Sequence, residues 1–92
     1  MGDEPEKLAG YSSWVVEECR AQGREDEPLA VTVRMTADAV DHAAAVLENT
    51  GLQLEEQFGD IVQGYITPRD MHRLTELPEV ARVEVAPPAR MH

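Results

Sequence analysis

Cysteine and lysine are each present once in this sequence, as Cys19 and Lys7. A single cysteine excludes an internal disulfide, and its place on an apolar helical stripe predicts a buried structural thiol rather than a nucleophile. No apolar run approaches the ~20 residues that a membrane helix needs, and the acidic residues 1–6 do not resemble a signal peptide. These absences favour a cytoplasmic protein.

Positive charge is also scarce, because 18 acidic side chains face 8 basic ones and the formal net charge is −10. Such a surface repels phosphate backbones and anionic lipid, so neither nucleic acid nor a membrane is an expected partner. Abundant Asp and Glu with one lysine is typical of halophilic proteins, in which salt screens the self-repulsion. An ordinary acidic protein from a GC-rich genome would have the same composition, and both interpretations stay open.

Motifs for catalysis or metal binding are missing as well. The histidines, His42, His72 and His92, lack the short repeating spacing of metal ligands, and we expect no cofactor. Carboxylates such as Glu55 and Glu56 are abundant, but no pair has the pattern of an acid–base couple. The sequence therefore predicts a protein that is not an enzyme.

The length of 92 residues allows one modest core. Apolar residues recur at helical spacing between residues 5 and 22, and a polar run ending in proline follows. We therefore divide the chain into an N-terminal helix and acidic linker at 1–28, a folded domain at 29–88 and a flexible tail at 89–92.

The domain begins with an alternating segment. Apolar and polar side chains alternate over residues 29–35, which predicts a strand with one buried face. Thr36 is a potential N-cap for a helix that ends at residues 49–51. The predicted inner stripe of this helix consists of Val40, Ala43, Ala44 and Leu47.

The second half of the domain is predicted to contain two strands, a helix and a last strand. Strands are predicted at 52–58 and 61–67 around a tight turn at residues 59–60, with Gly64 packed beneath a helix. Thr67-Pro68-Arg69-Asp70 then predicts a helix start, with a hydroxyl cap and a proline at the first helical position. The final strand is marked by Val80, Val83 and Val85.

The resulting element order is typical of the ferredoxin-like βαββαβ fold, here with an extra N-terminal helix. This α+β fold has an antiparallel sheet with both helices on one face, and right-handed crossovers put the first and third strands in the centre. The other face is open and is a natural docking surface, unless the N-terminal helix, a partner or a second copy covers it. The candidate partner-binding residues on this face are Arg34, Ile61, Gln63, Tyr65, Arg82 and Glu84.

A family resemblance covers the segment from Gly64-Tyr65-Ile66-Thr67-Pro68 to Val83-Glu84-Val85. This segment resembles the end of subtilisin-type propeptides. The shared pattern is a cap residue, a short helix, a Leu-x-x-x-Pro-x-Val step and a Val-x-x-Val-Glu strand. Those domains chaperone and inhibit subtilisin-like serine proteases. The resemblance implies that the open sheet face packs on a protease, in trans, and that the tail with Pro87 and Pro88 lies in its active-site cleft.

We therefore predict a non-catalytic protein-binding module, whose most specific version is a propeptide-like inhibitor or chaperone of a subtilisin-type protease. The alternative is a small-molecule-sensing ferredoxin-like domain that acts as a dimer. A small polar metabolite that raised the melting temperature would favour this alternative.

Overall fold

The computed structural model of the chain describes residues 10–86. Pro87, Pro88, the tail at 89–92 and the first part of the predicted N-terminal helix lie outside the described residues. The elements are α1 (Gly10–Ala21), β1 (Leu29–Met35), a 3-10 segment (Ala37–His42) that leads into α2 (Ala43–Glu48), β2 (Gln53–Phe58), β3 (Ile61–Ile66), a second 3-10 segment (Pro68–Asp70) that leads into α3 (Met71–Thr75), and β4 (Val80–Val85).

The four strands form one antiparallel sheet in the order β2-β3-β1-β4. The predicted α+β class with an antiparallel sheet is therefore confirmed, and β1 and β3 are the central strands. The turn between β2 and β3 lies at Gly59-Asp60 as predicted, with Gly59 at φ 60°. Glycine adopts this left-handed conformation without the steric cost that a Cβ would add.

One face of the sheet is buried and the other is exposed. Along β1, Leu29, Val31, Val33 and Met35 are buried, whereas Ala30 and Arg34 are exposed. The alternation follows from the two-residue period of side chains along a strand. A single hydrophobic cluster lies on the buried face and includes Val62 and Ile66 of β3, Val80, Val83 and Val85 of β4, and residues of α1, α2 and α3.

The start of the first crossover helix differs from the prediction. Thr36 is the N-cap position, but its side chain makes no cap hydrogen bond, and the first turns form a 3-10 segment. Because a 3-10 helix has about three residues per turn, it changes which residues face the sheet. Ala39 is buried in place of Val40, which is half-buried, and Ala44 is exposed. The predicted stripe was therefore right at Ala43 and Leu47 only.

The start of the second crossover helix agrees with the prediction. The Asp70 backbone N–H donates to Thr67 Oγ1 at 3.4 Å, and Thr67 Oγ1 donates to the Asp70 carboxylate at 3.3 Å. Pro68 occupies the first helical turn and is buried. The reciprocal pair satisfies a backbone donor that the helix itself leaves without a partner.

Helix α1 packs on the same side of the sheet as α2 and α3. Val15, Val16 and Cys19 are all buried in the common core. The Val85 backbone N–H, at the outer edge of β4, donates to Ser12 Oγ at 2.9 Å, and Arg20 donates to the Pro68 carbonyl at 3.0 Å. Residues 10–21 therefore do not cover the open sheet face, so the described part of the predicted N-terminal helix is not its occupant.

Replacing Ser12 with alanine is expected to destabilise the protein. The change leaves the Val85 N–H buried without its acceptor, and a lost partner of this kind costs about 1–3 kcal/mol of the free energy of unfolding. Chemical denaturation measures the difference. Ser13→Ala, at the half-buried neighbouring serine, is the control. Equal losses in the two variants would contradict a specific role of Ser12 at the β4 edge.

Candidate protein-binding face

The open face consists of the side chains that point away from the core on all four strands. The strand register arranges them in three rows, because directly paired residues share a face. The rows, read from β2 to β4, are Gln53, Tyr65 and Ala30; Glu56, Gln63, Thr32 and Glu84; and Phe58, Ile61, Arg34 and Arg82.

The structure brings the six predicted site residues from β1, β3 and β4 together on this face. Tyr65, the largest of them, is 41% exposed, and Ile61 is half-buried. The remaining four, Arg34, Gln63, Arg82 and Glu84, are exposed. Their role in binding stays a prediction.

Phe58 belongs to the open face and was missed from the sequence. It is 60% exposed and lies directly opposite Ile61 across the β2–β3 hairpin. The signal was available, because a residue next to a two-residue turn pairs with the residue on the other side of that turn. Phe58 and Ile61 form an apolar group in one end row of the face, and Tyr65 lies in the opposite end row, with Gln63 between Ile61 and Tyr65 on β3.

The acidic edge of the face depends on a bulge in β2. The register with β3 shifts between Leu54 and Glu56, so Glu55 is an extra residue. A bulge bends the strand and changes the direction in which the neighbouring side chains point. Glu55 and Glu56 consequently both line one depression of the open face.

Gly64 permits the close approach of β2 at this bulge. A Cβ built on Gly64 would overlap the carbonyl oxygen of Gln53 and lie 3.2 Å from the Leu54 Cα. Gly64 lies on the buried face of β3 with Val62 and Ile66, and its packing beneath a helix stays a prediction. The close neighbour is the backbone of the adjacent strand, which no feature of the sequence around Gly64 indicates.

Two depressions divide the face by charge. The larger, of ≈ 540 Å³, contains Glu55, Glu56, Gln63 and Tyr65 in its lining. The smaller, of ≈ 270 Å³, is lined by Arg34, Ile61, Arg82, Glu84 and Thr32. Thr32 lines both depressions and therefore marks the boundary between an acidic side and a basic side.

The basic side places two guanidinium groups on neighbouring strands. Arg34 and Arg82 are direct cross-strand partners, and like charges in this position are unfavourable. Arg82 Nε lies 3.2 Å from Glu84 Oε2, and Arg34 Nε lies 3.9 Å from Asp60 Oδ2. Exposed ion pairs such as these contribute little to stability, so the arrangement leaves two accessible donors on the surface of an acidic protein.

Ion pairs elsewhere fasten the loop between α1 and β1. Arg69 pairs with Asp26 at 2.9 Å, and Arg24 pairs with Glu27 at the same distance. The hydrogen bond from Arg24 lowers the pKa of the Glu27 carboxyl group. The pairing is therefore present at neutral pH and is lost as the pH falls through that lowered pKa. Glu27 is exposed and Arg24 is half-buried, and a pair in such a solvated position contributes little to stability on its own.

Residues with catalytic or metal-binding chemistry are dispersed. Between residues 10 and 86 no three His, Cys, Asp or Glu side chains lie close enough to hold a metal ion. Cys19 is fully buried in the core, as predicted, and His42 and His72 are exposed on the helical side. None of the described helices is both long and apolar enough to cross a membrane.

Comparison with known proteins gives no relative. No family model, no curated protein and no solved structure matches the chain. The propeptide resemblance accordingly depends on the residues of the segment 64–85 themselves.

Proposed function

We propose that this chain is a non-catalytic protein-binding module with a ferredoxin-like fold, and that it docks through its open sheet face. The fold assignment is supported by the strand order β2-β3-β1-β4 and by a helical connection after each of β1 and β3. These are the features of the split βαβ arrangement.

The observation that carries the proposal is an apolar group on a sheet face that residues 10–21 leave uncovered. Four strands about 4.8 Å apart, with three rows of outward side chains, present a face of roughly 15 by 20 Å. Phe58 and Ile61 at one end of the face and Tyr65 at the other supply its apolar part, and polar and charged residues lie between and beside them. Aromatic residues and arginine are enriched in protein–protein interfaces.

The specific partner that we propose is a subtilisin-type serine protease. The resemblance of residues 64–85 to subtilisin propeptides supports this choice. The end of β4 supports it as well, because the Ala86 N–H donates to the Ala30 carbonyl at 2.9 Å. The described part of the chain therefore ends at Ala86, at the edge of the face that would pack on the protease.

Inhibition of subtilisin by the full-length protein at about micromolar concentration tests this proposal. Tyr65→Ala is expected to raise the inhibition constant about five- to 150-fold, because truncating an exposed aromatic anchor costs about 1–3 kcal/mol of binding. Deleting residues 87–92 is expected to abolish inhibition and to leave the melting temperature unchanged. His72→Ala, which removes an exposed ring on the helical side, is the matched control.

Failure to slow the protease at that concentration would eliminate the protease as the partner. Loss of stability in Tyr65→Ala, with no effect on binding, would instead show that the ring packs within the fold and would contradict the docking role of the face.

The small-molecule alternative has weaker support. Both depressions on the open face are open-sided, whereas small-molecule sites are usually concave enough to enclose most of the ligand. We therefore keep protein binding as the proposed function.

A further inference from the structure

The charges of the open face are separated across the strands. Glu55 and Glu56 lie on the edge strand β2, and Arg34 and Arg82 lie on β1 and β4. Glu84 is also on the β4 side, but its carboxylate is held by Arg82 of the same molecule. Arg34 Nε likewise lies 3.9 Å from Asp60 Oδ2. One half of the face thus contains two carboxylates, and the other half contains the two guanidinium groups with their ion-pair partners.

A face divided in this way is complementary to a second copy of itself. A two-fold axis that lies between two stacked sheets, inclined to the strands and perpendicular to the line from the β2 glutamates to the two arginines, exchanges these two groups between the copies. The arginines of one molecule then meet the glutamates of the other. Each arginine–glutamate contact occurs twice in such a pair, once in each direction.

The shapes of the two sides agree with this arrangement. The side chains of Arg34 and Arg82 are 60% and 53% exposed, so they extend from the basic side of the face. The acidic side contains the larger depression, of ≈ 540 Å³, with Glu55 and Glu56 in its lining. A guanidinium that enters this depression can donate two parallel hydrogen bonds to a carboxylate.

We infer that a second copy of this chain occupies the open face, with the Arg34 and Arg82 side of each molecule against the Glu55 and Glu56 side of the other. Ile61 and Phe58 lie in the same row as the arginines and add apolar contact. The inference rests on the proposed function and adds its regulation, because a dimer of this kind conceals the docking surface until another protein competes for it.

The size and total charge of the molecule set the strength of the dimer. The face is smaller than the ~800 Å² per partner of a standard interface, and two copies of net charge −10 repel each other at long range. Salt of about 0.15 M screens this repulsion beyond ~8 Å, so contacts within the interface dominate there. We expect a dissociation constant of about 10–100 µM under these conditions.

A charge exchange tests the inference by sedimentation velocity of the full-length protein at about 0.15 M salt. R34E/R82E makes both sides of the face acidic, and E55R/E56R makes both sides basic. Each variant alone is expected to dimerise at least tenfold more weakly than the unaltered protein, because like charges then meet twice. An equimolar mixture of the two variants is expected to form a heterodimer with near-original affinity, because both contacts become attractive again.

Two control variants carry the same changes of net charge on the helical side. R69E/R73E and E48R/E76R alter exposed residues of the helical segments or of their ends. Both are expected to dimerise like the unaltered protein. Circular dichroism melts establish that each variant is folded, and recovery of the heterodimer in the mixture establishes it independently.

A protein that stays monomeric up to about 1 mM, far above the expected dissociation constant, overturns the inference. A dimer that both face variants leave intact, or a mixture that does not form heterodimers, also overturns it. These results are distinct from a failure of the proposed function, because sedimentation is measured without the protease and inhibition is measured at concentrations where the chain is monomeric.

Discussion

A chain that begins at residue 23 is expected to be largely unfolded at 25 °C, because α1 is part of the only large hydrophobic cluster in the described structure. Deleting α1 removes Val15, Val16 and Cys19 from the core. Burial of three such side chains contributes about 4–8 kcal/mol, whereas a small domain has a total free energy of unfolding of about 5–10 kcal/mol. The remaining strands would also expose the apolar side chains that α1 covers.

Circular dichroism and a urea titration of residues 23–92 measure this effect. Glu17→Ala is the control, because Glu17 is an exposed residue of the same helix and is not part of the core. Its free energy of unfolding is expected to stay within about 0.5 kcal/mol of that of the unaltered protein. A cooperative transition in the shortened chain near that of the full-length protein would show that residues 29–86 fold without the helix.

Gly64→Ala is expected to destabilise the protein by about 2–4 kcal/mol, because an added Cβ overlaps the Gln53 carbonyl oxygen. The neighbouring atoms are backbone atoms of β2, so they can move only if the pairing of β2 with β3 is disturbed. The same shift would displace Glu55 and Glu56 from the open face, and a loss of dimerisation is expected to accompany the loss of stability.

Gly59→Ala separates this overlap from the general effect of removing a glycine. Gly59 has a φ of 60° and no atom within 4 Å of an added Cβ, so its replacement costs only the conformational penalty of about 1–2 kcal/mol. Denaturant titrations of the two variants measure the difference. A smaller loss at Gly64 than at Gly59 would contradict the close approach of the two strands.

Elements that depend on local physical chemistry were predictable from the order of residues alone. Alternating residues at 29–35 predicted β1 with its bounds, since the period of two belongs to the strand and needs no partner. The hydroxyl cap and proline at Thr67 and Pro68 predicted the start of the second crossover helix, because capping depends on residues three positions apart. At residues 37–42 the structure has a 3-10 segment in place of the expected α-helix. The local apolar pattern did not predict this change of helix type.

Tertiary structure decided everything that depends on contacts between distant residues. The sequence showed an amphipathic N-terminal helix but not where it packs, because an apolar stripe matches any apolar surface; the Ser12–Val85 hydrogen bond and the shared core place it beside β4. The bulge at Glu55 and the tight approach at Gly64 arise from the pairing of two strands. The division of the open face into an acidic and a basic side follows from that pairing, since cross-strand register alone decides which charges become neighbours.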